Sequence, residues 1–145
     1  MAHRIRSANP SDLPRVLVLL EEAGLPSAGV DANFKRFWIL EVDGQVAGAV
    51  GLEVYQDSGL LRSLVVRPDL RGHGQGRNLY FHLINQAMGL SLSELILLTT
   101  TAQNFFANLG FEVIGRDQVP EPMRQSSEFS GACPETAVCM RIPLM

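Results

Sequence analysis

The sequence predicts a mixed α/β domain, and three features predict it. A capped amphipathic helix lies between Asn9 and Gly24. Two apolar runs flank the turn dipeptide Asp43-Gly44. Between Leu60 and Thr100, a strand, a glycine-rich loop, a helix and a second strand follow one another. Two strands joined through a helix in this way form a parallel crossover, whereas the Asp-Gly pair joins antiparallel ones.

Each element has a local cause. Asn9 offers a cap, Pro10 suits the first helical position and Asp12 sits in the first turn. Leu13, Val16, Leu17 and Leu20 then share one helical face, and Gly24 ends it. A short amphipathic piece is expected from Asp31 to Arg36. Phe37–Val42 and Gln45–Tyr55 form the hairpin about Asp43-Gly44. Residues 56–59 turn the chain, and Leu60–Val66 is a further strand that Pro68 breaks. The glycine stretch opens a helix from about Gly74 to Met88. Glu94–Thr100 reads as a buried strand from its unbroken apolar run. Ala102–Leu109 is a short helix stopped by Gly110, and Phe111–Arg116 a strand. A proline-interrupted tail leads to a last strand over Thr136–Ile142.

At 145 residues the chain suits one domain, taken here as residues 1–145. Apolar residues are 46% and charged residues 19%, enough for a core and unlike a disordered chain. The longest aliphatic run, Val16–Leu20, falls far below the ~20 residues of a membrane helix. The first residues contain no apolar stretch of a secretory signal. Two cysteines, Cys133 and Cys139, are too few for a disulfide framework or a four-ligand zinc site, and His3 and His82 have no partners at metal spacing. A cytoplasmic protein without metal or membrane contact is the expectation. The net charge of −3 argues against general nucleic-acid binding. Its distribution is uneven: Arg62 to Arg77 holds four arginines and one acid, Asp69, on an otherwise acidic chain. Such an island fits an anionic ligand.

The motif at that island is Leu64-Val-Val-Arg-Pro-Asp-Leu-Arg-Gly-His-Gly-Gln-Gly-Arg77. Glycines that open a helix expose unpaired N–H groups at its positive end, where a phosphate binds. Arg71 and Arg77 flank it and can pair with phosphate oxygens. The glycines fall at 72, 74 and 76, so the dinucleotide spacing Gly-x-Gly-x-x-Gly fails. The loop contains no lysine, so the P-loop fails too. Arg71-x-x-Gly74-x-Gly76 directly after a strand resembles the acetyl-CoA pyrophosphate loop of the GCN5-related N-acetyltransferases (GNAT), and the resemblance runs over essentially the whole chain.

The resemblance implies the GNAT fold, a mixed, mostly antiparallel, splayed sheet with helices on both faces. It implies acetyl-CoA as co-substrate, with Leu64, Val65 and Val66 lending main chain to the pantetheine. The amides of Arg71, Gly72, His73, Gly74, Gln75, Gly76 and Arg77 would hold the pyrophosphate. The second family motif, Asn-x-x-Ala-x-x-Phe-Tyr-x-x-x-Gly-Phe, appears as Thr99-Thr-Thr-Ala-Gln-Asn-Phe-Phe-Ala-Asn-Leu-Gly-Phe111. Thr99 and Phe105 then adjoin the cofactor, Thr99 in place of asparagine. Phe106 replaces the tyrosine that often protonates the thiolate, and reads as core packing. The slot of the family's frequent glutamate base falls on Leu60, so the catalytic residue stays unassigned; Glu53 and Ser63 are the candidates for acid–base work, Glu53 reading first as a solvated strand-end acid.

Residues 51–64, Leu97–Thr101 and the stretch Arg116–Phe129 with Cys133-Pro134 resemble the arsinothricin N-acetyltransferases of arsenic resistance. They are also similar to the acetyltransferase domain of N-acetylglutamate synthase. Either resemblance implies acetylation of the α-amino group of glutamate or a mimic, such as arsinothricin or phosphinothricin, with antibiotic resistance as the role in the first case. Two acidic heads call for arginine or amide donors. Arg62 and Ser63, with Arg124 and Ser126 in the tail, are the substrate candidates, and Glu128 is a further tail candidate. A homodimer, a non-catalytic acetyl-CoA sensor and a scaffold remain open.

Overall fold

The computed structural model describes residues 2–144. Its seven strands are β1 (His3–Ser7), β2 (Phe37–Val42), β3 (Gln45–Tyr55), β4 (Ser58–Val66), β5 (Glu94–Thr99), β6 (Glu112–Ile114) and β7 (Val138–Pro143). The helices are α1 (Leu13–Glu22), α2 (Gln75–Gly89) and α3 (Gln103–Asn108). The strands form one sheet in the order β1-β2-β3-β4-β5-β7-β6. Every neighbouring pair is antiparallel except β4 and β5, which the α2 crossover makes parallel.

Helices cover both faces. Val16, Leu19 and Leu20 of α1 pack with Phe37, Ile39, Ala49 and Val65 on one face. Leu79, Tyr80, Leu83 and Ala87 of α2 pack with Leu40, Val50, Leu52 and Leu61 on the other. Strand alternation explains the division: Leu40 and Ile39 point to opposite faces, as do Val50 and Ala49. The tail covers a third patch, where Val119 and Met123 meet Leu60, Ile96 and Cys139. Gly51 lies where a Cβ would stand 2.4 Å from the Phe37 ring, so the β2–β3 approach needs a residue without one.

The central strands and the crossover lie near where the sequence puts them, although β4 starts at Ser58, inside the expected 56–59 turn, because Ser58 and Gly59 already pair with β3 and β5. Four larger differences stand out. β1 has no counterpart in the sequence reading: it is a half-exposed edge strand, and His-Arg-Ile-Arg-Ser lacks an apolar face. The chain after Asn9 makes a 3₁₀ turn over Pro10–Asp12 before α1 begins. Only Phe34–Arg36 of the expected Asp31–Arg36 piece is helical, as a 3₁₀ turn. β6 is three residues long, half the expected length, and its partner begins at Val138 rather than Thr136. Arg6 fastens the first two differences together. Its guanidinium grips both Asp12 oxygens, at 2.8 and 3.0 Å, and Glu41 at 2.7 Å, while Asp12 accepts the Asn9 amide. No helix among the described residues is long and apolar enough to cross a membrane.

Candidate active site

The site begins as a failure of strand pairing. β4 and β5 pair only at Ser58–Leu60 with Glu94–Ile96. Beyond Leu60 the two strands part. The register of β4 against β3 shifts between Ala49 and Gly51, and opposite this irregularity Ser63 adopts φ +61°, a left-handed value unusual for serine. The bulge bends β4 away from β5, whose other edge stays paired to β7 as far as Thr99. A cleft of about 660 Å³ opens between them, within the size range of ligand sites. Leu64, Val65 and Val66 line one wall, and Thr99 and Phe105 the other.

Past Val66 the chain reaches the start of α2. Gly72 and Gly74 both have φ +83°, and a Cβ at either would point into open space, so glycine serves the backbone here and not packing. The first helical hydrogen bond is donated by Asn78 to the Gly74 carbonyl, at 3.1 Å. The amides before it belong to the unpaired first turn of a fifteen-residue helix, which favours negative charge. Arg71 lines the cleft and donates from Nε to the Val66 carbonyl at 3.0 Å, fixing its guanidinium beside the loop. Arg77 is exposed and stacks 5.7 Å from the Phe81 ring centre. Arg67 faces its own neighbour Asp69 at 2.7 Å. The positive island thus resolves into two arginines available to a ligand, 71 and 77. An amide row at a helix start, open glycines and two arginines fit a diphosphate.

Side chains around the loop have other duties. The Gln75 side chain is buried and meets His3 Nδ1 at 2.6 Å, tying the loop to β1, whereas His73 is exposed. Thr99 Oγ1 accepts the Ala102 amide at 2.9 Å, in the turn just before α3. A Cβ at Gly76 would stand 3.6 Å from the Phe105 ring, an ordinary contact distance. Phe106 lies at the cleft floor and packs edge-on to Phe105 and Phe111.

The opposite end of the cleft holds a buried charge cluster. The Arg62 side chain is wholly buried and bonds Glu53 at 2.8 Å. It also donates to the Ala28 carbonyl at 2.8 Å, to Ser63 Oγ at 3.0 Å and to Ser127 Oγ at 3.3 Å. Four of its five N–H groups are committed, unlike a guanidinium held free for a substrate carboxylate. Glu53 is likewise buried, not a solvated strand-end acid, and it also accepts the Tyr55 hydroxyl. Burial and that neighbouring acid push the Tyr55 phenol up to about 12. Glu53 does not line the cleft, but Ser63 does. The two tail candidates stand apart from it. Arg124 is exposed and bonds the carbonyls of Asp117 and Val119. Ser126 is buried, with its Oγ accepting the Glu128 amide at 3.2 Å.

Glu128 itself does line the cleft, 4% exposed, with its carboxylate 3.9 Å from Arg62 Nη2 and 3.4 Å from Cys133 Sγ. Burial raises its pKa above the ordinary glutamate value, against the pull of Arg62. The sequence places it in the tail but says nothing of this burial, because it arrives over β4 through irregular turns at residues 121–125 and 128–132.

Comparison with known proteins agrees with this geometry. Residues 33–113 match the acetyltransferase (GNAT) domain family. The chain is 32% identical over 136 residues to an amino-acid acetyltransferase of Neisseria meningitidis serogroup A, covering 88% of this chain and 31% of that one. A Shewanella oneidensis amino-acid acetyltransferase is 32% identical over 133 residues, covering 86% and 30%. The chain therefore spans about a third of the length of these curated relatives. Among solved structures, N-acetylglutamate synthase from Neisseria gonorrhoeae complexed with coenzyme A and N-acetyl-glutamate superposes with a TM-score of 0.86 at 28% identity, over 100% of this chain and 36% of that one. Rv2747 from Mycobacterium tuberculosis, in complex with CoA and NLQ, gives 0.84 at 25% identity over 98% and 99% of the two chains.

Proposed function

The chain belongs to the GNAT acetyltransferase family, and from that premise we propose that it transfers acetyl from acetyl-CoA to the α-amino group of glutamate or a glutamate-like amino acid. The wedge between β4 and β5 carries this reading. It joins a diphosphate-binding helix start to a buried polar pocket at the point where the strands part.

In this reading the amides from Gly72 to Arg77, with Arg71 and Arg77, hold the pyrophosphate. The unpaired edge of β4 at Leu64–Val66 runs alongside the pantetheine and aims the thioester toward Ser63 and Arg62. Acetyl-CoA, when bound, supplies the activated acyl group. A β4 amide near Val65 polarises its carbonyl, and holding amine and thioester together supplies much of the rate. The neutral amine attacks directly and the thiolate leaves. Phe106 stands where a tyrosine acid would be, so the departing thiolate has no phenol donor at that position.

The amino-acid class rests on relatives whose names describe amino-acid acetylation, one of them solved with N-acetyl-glutamate. Arsinothricin, the mimic implied by the tail, belongs to the same chemical class, and a resistance role follows only if it is the preferred amine. Thiol release from acetyl-CoA, measured across glutamate, glutamine, arsinothricin, phosphinothricin and simple amines, tests the reading. Turnover confined to α-amino dicarboxylate-like acids supports it. Turnover of simple amines alone overturns the substrate class, and acetyl-CoA binding without any turnover identifies a sensor.

A further inference from the structure

We propose that Glu128 receives the substrate's α-ammonium group and takes its proton, which makes the nitrogen a nucleophile. The inference rests on the acetyl-transfer reading above and adds the residue that deprotonates the amine.

The argument starts from an imbalance of charge. Glu53, Arg62 and Glu128 are all buried, and they amount to two carboxylates for one cation. Arg62 gives its short contact to Glu53, at 2.8 Å, and stays 3.9 Å from Glu128. The groups that face Glu128 are few: Arg62 from β4, Glu53 behind it on β3, and Cys133 from the tail. The thiol of Cys133 is pushed up to about 12 by burial and by Glu128 itself, so it stays neutral and offers only a weak S–H donor. A buried carboxylate with one distant cation and one weak donor is incompletely satisfied. It faces the cleft, beside Arg62 and Ser63 where β4 leaves β5. A cation entering there from the cleft completes it, and the α-ammonium of an amino acid is such a cation. Glu53 cannot serve, because Arg62 and Tyr55 occupy it and it does not reach the cleft.

The step balances without a further reactant. The ammonium gives one proton to the Glu128 carboxylate. Its freed electron pair forms the N–C bond to the acetyl carbon, and the C–S bond breaks with its pair leaving on sulfur. The second proton of the nitrogen goes to the thiolate, giving amide and CoA thiol. Glu128 then releases its proton to water. Burial raises the proton affinity of Glu128 toward that of the amine, the direction that favours this transfer.

The test uses the full chain and the best amine from the thiol-release panel. Glu128→Gln should lower kcat about 10²–10⁴-fold near neutral pH, the range for losing a general base. Acetyl-CoA affinity by calorimetry should stay unchanged. The variant's rate should climb with pH as free amine accumulates, and Glu128→Asp should keep part of the activity and the wild-type limb. Should the Gln variant not fold, the wild-type enzyme decides. The acid limb of its kcat profile should barely move with temperature if a carboxyl controls it, and should move steeply if the amine does. A Gln variant within threefold of wild type with the same pH limb, or a wild-type limb with amine-like temperature dependence, overturns the proposal while leaving the acetyltransferase reading intact. Absence of turnover by the wild-type chain with every amine overturns both.

Discussion

Arg62→Ala tests whether the arginine nearest the cleft is structural. Its side chain has no exposed surface, and its partner Glu53 keeps 2% of its own. Among the described residues, truncation removes the only cation in contact with Glu53 and the one that pairs with Glu128. It also removes one of the two donors to the Ala28 carbonyl, the other being the Ser127 hydroxyl. Breaking a buried pair by deleting one member costs about 3–5 kcal/mol. A domain of this size has a total stability of roughly 5–15 kcal/mol. At about 3–4 °C per kcal/mol, the melting temperature should fall by about 10–20 °C. Removing both charges, as in Arg62→Met with Glu53→Gln, should restore much of the loss, because no buried ion is then left alone. Urea or thermal unfolding of wild type, both single variants and the double variant closes the cycle and yields a coupling energy. The reasoning is refuted if Arg62→Ala unfolds within 1 kcal/mol of wild type and instead raises KM for the amine. The guanidinium would then be a substrate ligand with no structural role.

Three further outcomes follow from the same geometry. Gly74→Asp should abolish acetyl-CoA binding in calorimetry while the chain stays folded, because φ +83° strains any side chain and the added carboxylate opposes a pyrophosphate at the α2 start; unchanged affinity removes the loop assignment. Phe106→Leu should cost about 1–2 kcal/mol in stability through lost contact with Phe105 and Phe111, with turnover per folded molecule little changed; lost turnover at full stability and cofactor affinity contradicts its packing role. Asp12 is held below the usual aspartate range, first by its hydrogen bonds from Arg6. Its contribution is therefore present above the unfolded aspartate pKa and is lost as pH falls through the lowered one. Asp12→Asn should remove about 1.5–3 kcal/mol at pH 7 and flatten stability below the usual aspartate range, as read by unfolding at stepped pH.

The parts of the fold that sequence reveals are those with one dominant local cause. Asp43-Gly44 forces a tight turn, so both hairpin strands have the expected bounds at Phe37–Val42 and Gln45–Tyr55. The glycine loop and Pro68 bracket the crossover, so α2 begins within one residue of its expected start. β1 escapes notice because its stability comes from pairing with β2 and from Arg6 reaching Asp12 and Glu41 across the sheet, and neither contact leaves a local pattern. The tail escapes for a similar reason. Its 3₁₀ turns are held by Met123 and Val119 packing on Leu60 and Ile96, residues more than twenty positions away.

The candidate site divides in the same way. Its proposed phosphate end is a continuous segment, so Arg71-x-x-Gly74-x-Gly76 can be matched to a family loop within one window, while the spacing fails the other nucleotide loops. Its amine end is assembled from residues 28, 53, 62, 127, 128 and 133, which no window of sequence brings together. Arginine near a cofactor loop reads as a ligand for an anion, because sequence shows its charge and not its partners. Burial reverses that inference. A guanidinium already facing two carboxylates attracts no third, and the uncompensated charge in the pocket is negative. On the proposed reading the cluster suits an ammonium group, and the acidic heads of a glutamate-like substrate would be recognised outside it. Kinetics with substrates that keep the α-amine but lose the side-chain carboxylate would separate these two recognitions: Glu128 variants should weaken both kinds of substrate alike, whereas a residue outside the cluster that binds the carboxylate should discriminate between them.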